Sequence, residues 1–133
     1  MSSFSSAFSA IYKAFRSLLV RDGVHVGETS GYPRVELHSW TEGAPLDKGN
    51  SVRELTVVVE SMSTTSMADA VEMDSENMAR LLSDAGIVSG GFEVFGIIQE
   101  QLQQINEVAE AQNTLYRLLR TYRVFVQTTN LQS

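Results

Sequence analysis

Two stretches of the chain repeat hydrophobic residues at the spacing of an α-helix. The first runs from Phe4 to Leu19, where apolar residues recur every three or four positions and form one stripe. Asp22-Gly23 follows, and we expect the helix to end there because glycine readily adopts the left-handed conformation of a helix C-cap. The second runs from Ser66 to Gly86 and opens on a capping-box pattern. Its apolar side is predicted to consist of Met67, Val71, Met78, Leu81, Leu82 and Ala85.

The other stretches alternate apolar and polar residues, which is the period of a half-buried β-strand. "YPRVELHSW" (32–40) and "SVRELTVVVE" (51–60) should pair as an antiparallel hairpin, with Pro33 at the start of its first strand. A third strand is predicted from residue 92 to about residue 98, whereas the glutamine-rich residues 99–113 suit either a longer strand or a short helix. "TLYRLLRTYRVFVQ" (114–127) is predicted as the last strand, before a polar tail at residues 128–133.

The order of predicted elements is α, β, β, α, β, β, and neither a repeat nor a linker divides the chain. This order predicts an α+β fold, in which two α-helices pack on an antiparallel or mixed sheet of about four to five strands. A chain of 133 residues has the size of one domain, so residues 1–133 are predicted to fold around a single core.

The composition is that of an ordinary soluble globular protein, with 43% hydrophobic and 20% charged residues. No apolar run approaches the roughly 20 residues that cross a bilayer, and the amphipathic start does not resemble a secretory signal. We therefore expect no membrane association and a protein that stays where it is made. The absence of cysteine excludes disulfides and thiolate chemistry, so stability must come from packing or association.

The net charge of -6 is unevenly distributed along the chain. Residues 1–35 carry four basic and two acidic groups, residues 36–112 carry three and fourteen, and residues 113–133 carry three and none, which gives +2, -11 and +3. The acidic middle argues against sequence-specific DNA binding. The basic ends suit contacts with acidic faces of a neighbouring copy, although a solvated acidic face explains the pattern as well.

None of the usual catalytic or ligand-binding spacings is present. His25 and His38 lack partners at metal-ligand spacing, no G-x-S-x-G elbow occurs, and "SGGFEVFG" (89–96) lacks the register of a phosphate loop. The acids at the start of the second helix, Asp74 among them, are interpreted as stabilising the helix dipole rather than binding a metal. The sequence predicts a protein that is not an enzyme, with no catalytic residue, cofactor or metal.

The candidate contact residues outside the last strand lie around the predicted hairpin. Strand alternation places Trp40 on the polar face, where an indole either anchors an interface or packs under the neighbouring loop. The connection "EGAPLDKGN" (42–50) exceeds a typical hairpin loop, so we expect it to project and to be either mobile or a recognition element. Its candidate contact residues are Leu46, Asp47 and Lys48.

The last strand supplies three further candidates, Arg117, Arg120 and Arg123. In an extended strand Arg117 and Arg123 share one face and Arg120 joins the aromatic side, so they do not form a continuous phosphate track. On a possible edge strand, exposed arginines blunt unwanted pairing, and they also suit salt bridges to acidic residues of another subunit.

Over nearly its whole length, the layout resembles the tail terminator (tail completion) proteins of long-tailed bacteriophages. The likeness rests on an amphipathic first helix, a long hairpin, a second helix after a strand ending "TVVVES", and a late strand. The stretches that carry it are "FSSAFSAIYKAFRSLLV", "YPRVEL" and "YRLLRTYRVFVQ". One departure is "EQLQQINEVAEAQNT" (100–114), which is longer than a hairpin turn needs and is expected either to reach a neighbouring copy or to line a channel.

The resemblance implies a structural virion protein of the tail or neck, assembled in the host cytoplasm. Members of that family form a ring, usually a hexamer, that caps the growing tail tube. The ring stops polymerisation of the tail tube protein and docks the tail to the head connector. DNA would pass through the channel without specific binding, because few cations would hold its phosphates. The alternatives are another head-tail joining or neck protein, and a small α+β ligand-binding domain with a pocket between sheet and helices.

Overall fold

The computed structural model contains two helices and a six-stranded sheet within the residues it describes. Those residues are 3–26, 31–42, 52–82, 88–89, 91–108 and 114–128. The helices are α1 (Ser3–Leu19) and α2 (Met67–Leu82). The strands are β1 (His25–Val26), β2 (Arg34–Glu42), β3 (Val52–Ser63), β4 (Val88–Ser89), β5 (Phe92–Val108) and β6 (Thr114–Thr128).

The sheet is mixed, in the order β1-β2-β3-β6-β5-β4. β1 runs parallel to β2, and all other neighbours are antiparallel. Both helices contribute to one hydrophobic cluster on one face of the sheet. The predicted α+β class is therefore confirmed, and the two strands beyond the predicted number are the two-residue β1 and β4.

The first helix buries the stripe that its sequence predicts. Ile11, Phe15 and Leu19 are fully buried, and they pack against the inner side chains of the central strands because their spacing places them on one side of α1. Gly23 follows the helix with a φ of 82°, the left-handed conformation that glycine adopts without strain. The strand residues in this core are Val35, Leu55, Val57, Val59, Val94, Tyr122, Val124 and Val126.

β2 and β3 form the predicted antiparallel hairpin. Leu37 lies opposite Val59, and Pro33 directly precedes β2, where its missing N–H disturbs no ladder. The register shifts between His38 and Thr41. The connecting residues 43–51 lie outside the described residues, and with them the predicted projecting loop apart from Glu42, which belongs to β2.

Only one of the two hydrogen bonds of the predicted capping box forms at the N-terminus of α2. Ser66 Oγ accepts a hydrogen bond from the backbone N–H of Asp69 at 3.1 Å, which satisfies one of the donors left open by the first turn. The Asp69 carboxylate does not complete the box in the predicted way, because it accepts a 2.8 Å hydrogen bond from Ser63 Oγ at the end of β3. α2 ends at Leu82, and Gly86 lies outside the described part of the chain.

Of the predicted buried side of α2, Leu81 is confirmed, the other four described members are not buried, and Ala85 lies outside the described residues. Val71 and Leu82 are 38% and 41% exposed, and Met67 and Met78 are only half-buried. The buried stripe is rotated because two polar residues on it find partners in the sheet, as described below. It consists of Ala70, Met73, Asp74, Asn77 and Leu81.

β5 continues as a strand through the glutamine-rich stretch to Val108, which decides between the two predicted alternatives for residues 99–108. Its register shifts twice, between Val94 and Gly96 and between Gln99 and Leu102. Each irregularity changes which residues face the core, so the predicted alternation fails beyond Val94. Ile97 packs against the core, whereas Ile98 is 48% exposed.

β6 lies in the middle of the sheet, between β3 and β5. It pairs with β3 from Tyr116 to Gln127 and with β5 along its whole length. The suggestion that it is an edge strand is therefore wrong. A local sequence pattern does not specify strand order, and β6 is fully flanked because β3 and β5 both fold back onto it.

Candidate interface surfaces

Arg120 lies on the helix-covered face of the sheet, as predicted, and binds Asp74 of α2. Its Nε is 3.0 Å from both carboxylate oxygens and its Nη2 is 2.8 Å from Oδ2. The side chains are 14% and 4% exposed. Nη1 donates a further 2.7 Å hydrogen bond to Gln99 Oε1 of β5. The hydrogen bond to Asp74 raises the pKa of Arg120, so this guanidinium is held as a cation that joins α2, β6 and β5.

Two further polar side chains are buried beneath α2. Asn77 Nδ2 donates a 2.9 Å hydrogen bond to Ser61 Oγ of β3, and both residues are fully buried. Tyr122 is also fully buried, and burial raises the pKa of its phenol because the anionic form would lose its hydration. The hydrogen bond from Asn77 to Ser61 thus fixes the position of α2 over the sheet in addition to apolar packing, whereas the Tyr122 hydroxyl has no hydrogen-bond partner among the described residues and contributes packing alone.

Arg117 and Arg123 lie on the opposite, outer face of the sheet, again as predicted. Arg117 bonds to Glu60 of β3, whose other carboxylate oxygen lies 3.1 Å from His38 Nε2. Arg123 Nε donates a 2.6 Å hydrogen bond to Glu54 Oε2, and its Nη1 lies 3.5 Å from Glu100 Oε2. The hydrogen bond from Arg123 lowers the pKa of Glu54. Cross-strand ion pairs thus cover much of the outer face.

One end of the outer face carries aromatic side chains. The guanidinium of Arg123 stands 5.3 Å from the centroid of the Phe125 ring, and the Phe95 ring is tilted against Phe125 at 6.2 Å. β5 exposes three large apolar side chains along its length. They are Phe95, Ile98 and Leu102, which are 51%, 48% and 44% exposed. Phe95 lies against Phe125 and Ile98 lies opposite Arg123, so these two residues are on the outer face and are called here the β5 patch. Leu102 lies opposite Arg120, on the helix-covered face.

The side of α1 that faces away from the core forms a shallow groove of about 480 Å³. The residues of this α1 groove are Tyr12, Lys13, Arg16, Ser17 and Val20. Val20 is 56% exposed. Neither Lys13 nor Arg16 makes an ion pair with any residue that the structure describes, and residues 3–21 contain no acid. The groove is therefore lined by apolar and positively charged side chains.

Arg21, the third cation of this segment, is already engaged. Its Nη1 donates a 2.8 Å hydrogen bond to the carbonyl of Leu19, and its Nε lies 3.6 Å from Glu76 of α2. Burial lowers the pKa of Arg21, and the nearby Glu76 carboxylate partly offsets this effect. Arg21 is thus a link between the two helices, whereas Lys13 and Arg16 face outward.

The predicted contact residues fall into two groups. Arg117, Arg120 and Arg123 have partners within the chain, so their use between subunits stays a prediction. Trp40 lies in β2, but its side chain is outside the described residues, as are Leu46, Asp47 and Lys48 altogether. Sequence reasoning did not identify the β5 patch, because its exposure depends on the first register shift, between Val94 and Gly96. It also missed the buried role of Asp74, although Asp74 and Asn77 share a helical stripe with Ala70 and Leu81.

Among the residues that the structure describes, no three His, Asp or Glu side chains are close enough together to hold a metal ion. Neither described helix is both long and apolar enough to span a membrane.

The fold has a counterpart among solved structures. A chain in the structure "Virion of native gene transfer agent (GTA) particle" superposes with a TM-score of 0.65. The match covers 90% of this chain and 92% of that chain, at 16% sequence identity. No protein-family model and no curated protein matches the sequence. The two chains therefore share a fold over nearly their whole lengths.

Proposed function

We propose that this protein is a structural component of a virion, and more specifically a ring-forming tail terminator. The observation that carries the proposal is the fold shared over 90% of the chain with a virion chain of similar length. The order of elements that resembles tail terminators supports the finer assignment. In this role the protein caps the tail tube, stops its polymerisation and forms the joint to the head connector, and no step of it needs catalysis.

The internal contacts suit a part whose function depends on shape. Ion pairs join β6 to β3 and to α2, and the hydrogen bond from Arg120 to Gln99 extends this network to β5. A sheet and helix held at several points by directional bonds keeps its surfaces in fixed relative positions. Fixed surfaces are what repeated contacts between identical subunits require.

The proposed partners are further copies in a ring, which we expect to be a hexamer, the tail tube protein and the head-tail connector. DNA would pass through the ring without specific binding. The net charge of -6 supports this, because a protein with few unpaired cations gains little from releasing the counterions of DNA. The proposed location is the tail or neck of the virion, after assembly in the host cytoplasm.

Deletion of the gene from the particle that encodes it tests the tail role. We expect tails longer than the native length and heads without attached tails, because tube growth would lack its stop and the joint would be missing. Complementation with the intact gene should restore both properties. Normal tail length in the deletion strain would contradict the terminator assignment.

The same deletion distinguishes a tail terminator from the two alternative functions. A head-tail joining or neck protein would leave tail length unchanged and would block only attachment of the tail to the head. A small ligand-binding domain would leave both unchanged, and its thermal unfolding temperature would rise with a small molecule.

A further inference from the structure

Within the described residues, β5 forms an edge of the sheet over most of its length. β4 pairs with β5 only at Phe92 and Glu93, so from Val94 to Val108 the outer side of β5 meets no strand within the described residues. Natural edge strands are usually protected by lysine, proline, register irregularities or a covering helix. β5 has two irregularities, but it contains no lysine, arginine or proline. It also exposes the large side chains of the β5 patch.

The charges near the β5 patch define what would cover it. β5 carries Glu93, Glu100 and Glu107 and no cation. Glu100 lies 3.5 Å from Nη1 of Arg123 in β6, and its side chain is still 41% exposed, so it can accept a second cation. A complementary surface would offer apolar side chains to the patch and positive charge to the glutamates. An acidic or purely polar surface would leave either the apolar area or the negative charge uncompensated.

The α1 groove has these properties. Tyr12 and Val20 supply apolar surface, while Lys13 and Arg16 supply two cations that have no ion-pair partner in the described part of the chain. A helix is also one of the elements that natural proteins place over a sheet edge. The two surfaces therefore match in apolar character and in charge.

Within one chain the two surfaces cannot meet. Ile11, Phe15 and Leu19 hold one side of α1 against the sheet, so the groove on its other side points away from the same sheet. We infer that the β5 patch of one copy packs on the α1 groove of a second copy. The occupant of the groove is thus this protein itself, with Glu100 of one subunit facing Lys13 and Arg16 of the next.

This contact is heterologous, because it joins two different surfaces of the same molecule. Each copy keeps one free groove and one free patch after the first contact, so the subunits assemble head to tail into a ring or an open filament. The inference rests on the two surfaces and does not require a tail role. A closed ring formed in this way would serve the proposed function.

Disulfide trapping tests the contact directly, because the chain has no cysteine of its own. The variants are Ser17→Cys in the groove and Gln103→Cys on the outer face of β5, the face that carries the patch, and both positions are exposed. We expect a cross-linked dimer when the two variants are mixed under oxidising conditions, and little product from either alone. A protein carrying both substitutions should give a ladder of multimers. Glu72→Cys, exposed on α2, is the matched control and should not cross-link with Ser17→Cys.

Two results would overturn the inference. One is a mixture that yields no more dimer than the Glu72→Cys control. The other is efficient cross-linking of Ser17→Cys or Gln103→Cys with itself, which would indicate a two-fold contact instead. A ladder together with normal tail length in the deletion strain would support the contact and reject the tail role, so the two proposals fail separately.

Charge reversal provides a second readout in the intact chain. Arg16→Glu and Glu100→Arg should each weaken self-association by about tenfold or more in sedimentation equilibrium. Combining the two substitutions in one protein should restore much of the loss, because the pair is then reversed rather than broken. Unchanged association in both single variants, with folding verified by circular dichroism, would contradict the contact.

Discussion

At the scale of single residues, charged side chains do most to fix the arrangement of the elements. The Asp74 side chain is buried and the Arg120 side chain is 14% exposed, and Gln99 accepts a further hydrogen bond from the guanidinium. Removing one member of such a pair leaves an uncompensated charge in a poorly hydrated site, whereas exposed pairs contribute little. The Arg120 contact is therefore the ion pair whose loss should matter most for folding.

Asp74→Ala is expected to lower the free energy of unfolding by about 3 kcal/mol, the low end for a buried pair, because Arg120 would lose its partner carboxylate while only 14% exposed. Urea denaturation measures this change. Glu72→Ala, on the exposed side of the same helix, should change stability by less than about 0.5 kcal/mol.

The Asp74→Leu, Arg120→Met double variant separates charge burial from packing. It should recover much of the lost stability, because neither charge is then buried. Equal effects of Asp74→Ala and Glu72→Ala on the free energy of unfolding would show that the ion pair between Asp74 and Arg120 does not stabilise the fold.

Glu54 gives a prediction about pH. Its pKa is lowered from an ordinary value of 4.5 because Arg123 donates a hydrogen bond to its carboxylate. A group whose pKa is lower in the folded state stabilises the protein above its unfolded-state pKa and loses this effect as pH falls through the folded-state value. The unfolding temperature of Glu54→Gln should therefore lie below that of the unchanged protein at neutral pH. The difference should vanish as the pH falls well below 4.5.

The matched control for Glu54→Gln is the same substitution in an Arg123→Gln background. Glu54 has no hydrogen bond from Arg123 there, so the pH-dependent difference should be largely absent. A difference of unchanged size at neutral and acidic pH would contradict the assigned cause.

At the scale of elements, sequence patterns predicted those features that depend on neighbouring residues. The stripe of α1, the β2–β3 hairpin and the two faces of β6 follow from local periodicity, and the structure has all three. Local periodicity did not predict the buried side of α2 or the outward residues of β5. They depend on which strand lies beneath Asp74 and on register shifts against β6, neither of which a single stretch encodes.

The candidate surfaces divide in the same way. Strand geometry correctly predicted which face of the sheet each arginine of β6 occupies. Arg117 and Arg123 are six residues apart and share one face, whereas Arg120 is three residues from each and lies on the other. The β5 patch could not be read, since Ile98 faces outward only after the first register shift. The α1 groove was implicit in the amphipathic helix, as the side opposite to its buried stripe.

The N-cap of α2 gives a testable prediction about the stability of a single element. Ser66→Ala should lower the free energy of unfolding by about 1 kcal/mol, because the N–H of Asp69 would lose its side-chain acceptor. Chemical denaturation with tryptophan fluorescence or circular dichroism would measure it. Ser75→Ala, at an exposed interior position of the same helix, should be neutral or slightly stabilising. A cap effect no larger than that of Ser75→Ala would contradict the assignment.

At the scale of the whole molecule, both helices pack on one face of the sheet, and the remaining surfaces differ from one another. The outer face carries cross-strand ion pairs and, at one end, aromatic side chains; one sheet edge is acidic and apolar, and the outward side of α1 is basic. Surfaces of distinct character at different places allow a subunit to contact identical neighbours and unlike partners at once. This is the arrangement that a ring between a tube and a connector needs.

The most direct test of the tail role is an assembly reaction with purified tail tube protein, followed by electron microscopy of negatively stained tubes. Adding this protein early should shorten the tubes, and rings should be visible at their ends. The Ser17→Cys, Gln103→Cys protein, oxidised into closed rings, should cap the tubes as well. Tubes of unchanged length and with bare ends, in the presence of excess folded protein, would contradict the account.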